Sequence, residues 1–140
     1  MKIRKKFKKL GRKTSHRKSL LVNLSKSIII HKRIVTTIQK AKSVQKFIEP
    51  ILTKIKKDTT HSRRIVFSHF QDKEIIKKLF NEISNNILLR NGGYTRTIRI
   101  ENRKGDNSEM CIIELVNYNQ TTQKKKKIKT RRSKKKVKNI

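Results

Sequence analysis

The chain is 140 residues long and carries 40 Lys and Arg against 9 Asp and Glu, a formal net charge of +31. With 33% hydrophobic and 5% aromatic residues it holds enough core for one small domain. A charge excess of that size says more about partners than about fold, and the natural counterion is a polyanion. No run reaches the ~18–20 consecutive apolar residues of a transmembrane helix, and the basic start is not followed by a signal-peptide core and cleavage site. The single cysteine, Cys111, excludes an internal disulfide framework and fits a reducing compartment.

The charge is unevenly spread. Residues 1–48 hold 16 basic and no acidic residues, 49–120 hold 13 and 9, and 121–140 hold 11 and none. This divides the chain into a basic N-terminal arm (1–13), a single domain (14–119) and a lysine-rich C-terminal extension (120–140). The extension has too few apolar residues to bury and too much self-repulsion to fold alone. The arm reads similarly, apart from Phe7 and Leu10. Both are expected to become ordered on a partner.

In chain order, Thr14 or Ser15 can cap a first helix, with Leu20, Leu21, Leu24 and Ile28 at helical spacing. His31, Lys32 and Arg33 suit its negative end. The β-branched run Ile34–Thr37 favours a strand. Thr37 can cap a second helix with the stripe Ala41, Val44, Ile48, Ile51 and Ile55. Pro50 falls inside it, and because the stripe resumes in register a kink is expected there rather than a break. Thr59 or Thr60 opens a third helix with Ile65, Val66 and Phe70 inward. Asp72 caps a fourth, whose apolar face is Ile76, Leu79, Phe80, Ile83 and Ile87. Asn91-Gly92-Gly93 ends it in a turn.

The period then changes to two. Tyr94, Ile98 and Ile100 alternate with Thr95, Thr97, Arg99 and Glu101, which predicts a half-buried strand with Arg99 on the polar, outward face. After a polar loop at 102–108, Met110–Val116 is apolar on both faces and is placed well inside the sheet. The order α-β-α-α-α-β-β describes an α+β, two-layer domain, a small mixed sheet with helices on one face. The other sheet face and the arms are left to a partner.

Chemistry has little purchase here. Four histidines (His16, His31, His61 and His69) and Cys111 show no metal-ligand spacing. The few carboxylates show no acid–base pairing, and Gly92-Gly93 is followed by no phosphate-loop lysine. No enzyme activity, cofactor, metal, small-molecule substrate or membrane contact is expected. Neutralising nucleic-acid phosphates with counterion release is the evident use of the basic residues. The aromatics lie mostly at core spacing and form no base-stacking platform, which favours binding structured RNA by backbone and shape.

The candidate RNA-binding residues fall into groups. Arg4, Lys5, Lys6, Lys8, Lys9, Arg12 and Lys13 lie in the arm, and His16, Arg17 and Lys18 at the start of the first helix. Lys32 and Arg33 lie at its end, Lys40 and Lys42 in the second helix. Arg63 and Arg64 sit where helix N–H groups could help them hold a phosphate, Arg96 and Arg99 on a rigid strand, and Arg103 and Lys104 in the loop. A DNA-compacting, nucleoid-type protein is the alternative, supported by charge alone.

Three stretches add a resemblance: SHRKSLLVNLSKSIIIHKRIVTTIQKAK (15–42), HSRRIVFSHFQDKEIIKKLFNEI (61–83) and RNGGYTRTIRIENRKGDNSEMCIIELV (90–116). The chain resembles the bacterial large-subunit ribosomal protein 17 family over about residues 1–119. The resemblance implies an α-β-α₃-β₂ two-layer fold and a structural component of the large subunit bound to large-subunit (23S) ribosomal RNA. It also implies a cytoplasmic, ribosome-bound protein near the exterior of the peptide exit tunnel, touching large-subunit protein 32. Two features depart from the family pattern: Lys32, where many members have an acidic residue, and the tail from Thr121.

Overall fold

The computed structural model describes residues 9–116. The expectations for residues 1–8 and 117–140 lie outside these residues. α1 spans Thr14–His31, β1 Arg33–Thr37, α2 Ile38–Lys54 and α3 Thr60–Phe70. α4 starts as Lys73–Lys78, passes into a π-helical turn at Leu79–Ile83 and closes with Ser84–Ile87. β2 (Thr95–Arg99) and β3 (Met110–Leu115) complete the α+β domain.

The helices form where the apolar spacing places them, but their ends are set differently in each case. α1 begins one residue early: Lys13 takes the cap position without a side-chain bond, so neither Thr14 nor Ser15 acts as the cap. It ends at Lys32, whose left-handed backbone (φ 65°) returns its N–H to the Ile28 carbonyl at 2.7 Å. α2 continues through Pro50, which is exposed, so the unbonded Lys46 carbonyl can turn to water. Thr59 caps α3 by accepting from the Ser62 N–H at 3.1 Å. Asp72 caps α4 by accepting from Glu74 and Ile75 N–H at 3.1 and 3.3 Å. Gly93 supplies the positive φ (61°) of the turn into β2.

The sheet has the order β1-β3-β2. Both pairings are antiparallel, so the sheet is not the mixed one expected. A parallel pair needs a crossover of a dozen or more residues, whereas β2 and β3 are joined by a short loop that returns directly. The register aligns Arg33–Glu114–Arg96, Ile34–Ile113–Thr97, Val35–Ile112–Ile98 and Thr36–Cys111–Arg99 across the three strands. Helices cover one face. Ile113, Cys111 and Leu115 join Ile28, Ile29, Val44, Ile48, Leu52, Leu79 and Ile83 in one buried core.

The expected orientation of β2 is reversed. Thr95 is buried and Thr97 half-buried on the helix side, while Ile98 and Ile100 are 38% and 39% exposed on the open side. The cause lies in α2. Both Glu49 carboxylate oxygens reach β2: Oε1 accepts from the Thr95 N–H (2.9 Å) and hydroxyl (2.7 Å), and Oε2 from the Tyr94 N–H (3.2 Å). The inward threonine is thereby satisfied. A strand's side chains alternate, so fixing one residue fixes the face of all.

Candidate nucleic-acid interface

The basic residues separate by what their neighbours do to them. At the start of α1, Lys9, Lys13, His16 and Lys18 are exposed and Arg12 and Arg17 half-buried. The Arg12 Nη1 donates to the Leu10 carbonyl (3.0 Å) and the Arg17 Nη1 to the Arg12 carbonyl (3.3 Å), pinning the chain that enters the helix. None of these six has a carboxylate within ion-pair distance among the described residues. The first turn of α1 contains no acidic residue. Cations at the positive end of a helix dipole are unfavourable unless an anion joins them.

A second group is held by the protein's own acids. Lys32 reaches Glu82 at 3.1 Å, and Lys26 reaches Asp72 at 3.1 Å. Arg63 grips Asp58 through Nε and Nη2, both at 2.7 Å, and its guanidinium lies 4.9 Å from the Phe80 ring centre. The start of α3 thus carries a carboxylate that already pairs with Arg63. Arg103 holds Asp106 in the β2–β3 loop through Nε (2.8 Å) and Nη2. Arg33 and Arg96 flank Glu114 on the open sheet face.

These contacts set the proton affinities. The hydrogen bond from Arg63 lowers the Asp58 carboxyl from its ordinary value, and the bonds from Arg103 and Ser108 hold Asp106 far below it. Lys26, with the two capping N–H groups, lowers Asp72. Burial pushes the Cys111 thiol up, as expected of a core thiol rather than a reactive one.

Among the remaining candidates, Arg99 is exposed at the end of β2, on the helix-facing side with Thr95 and Thr97 but beyond the helices' cover. Among the described residues no carboxylate pairs with it. Lys40 is half-buried on α2, and Lys42, Arg64 and Lys104 are exposed. Arg4, Lys5, Lys6 and Lys8 lie outside the described residues. The residues that sequence reasoning missed are acids, Glu49 and Glu114. Glu114 left a signal: it is the one charge inside an otherwise apolar strand, and such a charge must be paired.

Among the described residues, no group of three or more His, Cys, Asp or Glu could hold a metal ion. No helix of these residues is long and apolar enough to cross a membrane. Fold and surface define a small, strongly basic α+β domain that presents fixed cations.

The family model described as ribosomal protein L17 matches residues 20–116. A protein of Amoebophilus asiaticus named large ribosomal subunit protein bL17 is 58% identical over 138 residues, covering 95% of this chain and 71% of its own. Proteins of the same name from Bacteroides fragilis and Porphyromonas gingivalis are 56% and 52% identical. Each alignment covers 96% of this chain and 86% of the relative. The chain belongs to the ribosomal protein L17 family and is a structural protein, not an enzyme.

Proposed function

We propose that the protein is a structural component of the large ribosomal subunit, in the cytoplasm, that binds large-subunit (23S) ribosomal RNA through phosphate-backbone and shape contacts. The observation that carries the RNA reading is the start of α1. Lys9, Arg12, Lys13, His16, Arg17 and Lys18 gather at the positive end of an 18-residue helix, and among the described residues no acid pairs with them. Phosphates would supply the missing charge and accept from the helix N–H groups. Arg99, Arg64, Lys42, Lys40 and Lys104 extend the basic surface, and the arm (1–13) and extension (120–140) add phosphate contacts around the domain (14–119). Neighbouring large-subunit proteins, protein 32 among them, complete the site in the ribosome.

Filter binding of the full chain to 23S RNA tests this. If about 8–10 phosphates are neutralised, log K falls with log[salt] at a slope of roughly −6 to −9. A slope near −1, or equal competition by genomic DNA at ~0.15 M salt, would refute the RNA reading. The second result would favour the DNA-compacting alternative.

A further inference from the structure

Glu114 lies at the centre of the sheet, in register with Arg33 on β1 and Arg96 on β2. It is only 2% exposed. Arg96 donates to Glu114 Oε1 through both Nε (2.9 Å) and Nη2, and the Arg33 Nε stands 3.8 Å from Oε2. The two arginine side chains are 53% and 58% exposed; the shielded carboxylate holds the Arg96 guanidinium by hydrogen bonds and the Arg33 guanidinium at ion-pair distance. The row lies on the sheet face that no helix of the described residues covers, next to the aliphatic row Val35–Ile112–Ile98.

Two cations and one anion leave a net positive charge. Three features suit that charge to an oxyanion. A guanidinium is a rigid planar fork, and one edge bound to a carboxylate leaves the other edge's N–H groups directed away from it. No other acceptor among the described residues engages Arg96. Anchoring also removes, before any partner arrives, side-chain freedom that binding would otherwise have to remove.

We propose that Glu114 is a positioning residue that builds, with Arg33 and Arg96, a two-arginine clamp on the open sheet face for one phosphodiester phosphate of the RNA. The inference rests on the RNA-binding reading above and adds to it an oriented site, distinct from the diffuse cations of α1.

The test exploits a sign. Glu114→Gln raises the net charge by one above +31, so binding by charge alone would tighten. A clamp that loses its anchor binds 23S RNA about tenfold more weakly, the equivalent of one charge-assisted bond. Arg96→Lys leaves the net charge unchanged but removes the fork, and the clamp predicts a loss of similar size. Both are measured by filter binding of the full chain at fixed salt, after circular dichroism melts show that the variants fold. Should Glu114→Gln fail to fold, Arg96→Lys decides alone. Wild-type binding with equal or tighter binding by the folded variants would overturn the clamp, leaving the trio a sheet ion pair or a protein-docking feature. Wild-type protein that ignored RNA would overturn the functional reading and the clamp together.

Discussion

Replacing Glu49 by alanine should unlatch β2 from α2. The carboxylate takes three hydrogen bonds from two consecutive residues of the other layer, at 2.7, 2.9 and 3.2 Å. The Tyr94 N–H, at the longest of the three distances, belongs to a residue 1% exposed, so its loss adds to that at Thr95. The Thr95 N–H and hydroxyl belong to a residue only 5% exposed. Each buried polar group left unsatisfied costs roughly 1–3 kcal/mol. With partial entry of water, the losses at the two residues together should destabilise the fold by about 2–4 kcal/mol. For a domain of this size that lowers the melting temperature by roughly 10–25 °C. Glu49→Gln should cost about half as much, because its one carbonyl oxygen can still serve Thr95 while its amide meets the Tyr94 N–H donor to donor. Urea denaturation should show a lower midpoint at constant m. Amide hydrogen exchange at Thr95 should quicken beyond the change in global stability. A loss below about 0.5 kcal/mol for the alanine variant, the range of ordinary surface substitutions, would refute the view that this carboxylate fixes which face β2 turns inward.

Two further outcomes are expected. Arg99→Ala, which removes an exposed strand arginine with no carboxylate partner, should weaken RNA binding by about 1–3 kcal/mol, whereas Lys135→Ala in the basic extension should cost only a few tenths, as for a screened surface charge; equal losses in filter binding would show that strand placement confers nothing. The Asp72 carboxyl is lowered from its ordinary value of 3.8, so its contribution to stability is present above about pH 4 and is lost as pH falls towards the folded value; Asp72→Asn should flatten that acid-side decline in melting temperature, and an unchanged slope would mean that neither the cap nor Lys26 discriminates the charged form.

The helices were legible because a buried stripe repeats every three or four residues and declares itself locally. Ala41, Val44, Ile48, Ile51 and Ile55 are all buried where their spacing places them, as are Leu79, Phe80, Ile83 and Ile87 on α4. The π-helical turn at Leu79–Ile83 leaves no such mark, since the same apolar residues would serve a regular helix. β2 was misread for a related reason. Alternation identifies two faces but not which one points inward, and hydrophobicity favoured Ile98 and Ile100. The deciding partner was Glu49, 46 residues away from Thr95, and nothing local announces it. The antiparallel sheet order is nonlocal in the same way: β1 meets β3 only after three helices have intervened.

The candidate site was legible as composition and illegible as geometry, and the acids explain why. A count of +31 treats every Lys and Arg as equivalent. In the fold, Asp58, Asp72, Glu82, Asp106 and Glu114 take up Arg63, Lys26, Lys32, Arg103, Arg33 and Arg96. Where the acid is exposed, as Asp58 and Asp106 are, the pair is a screened surface contact worth little stability, and its field on an approaching phosphate is largely cancelled. Where the acid is buried between two arginines, as at Glu114, one negative charge faces two positive ones, and its hydrogen bonds orient Arg96. The cations at the start of α1 have no such partner among the described residues, and their field reaches solvent limited only by salt screening. On the proposed RNA-binding reading, the start of α1 contributes to affinity and its salt dependence, and the sheet to orientation on the RNA. Neutralising α1 residues should flatten the salt slope by about one for each phosphate left without its cation. Removing the fork at Arg96 while keeping its charge should lower affinity and leave that slope in place.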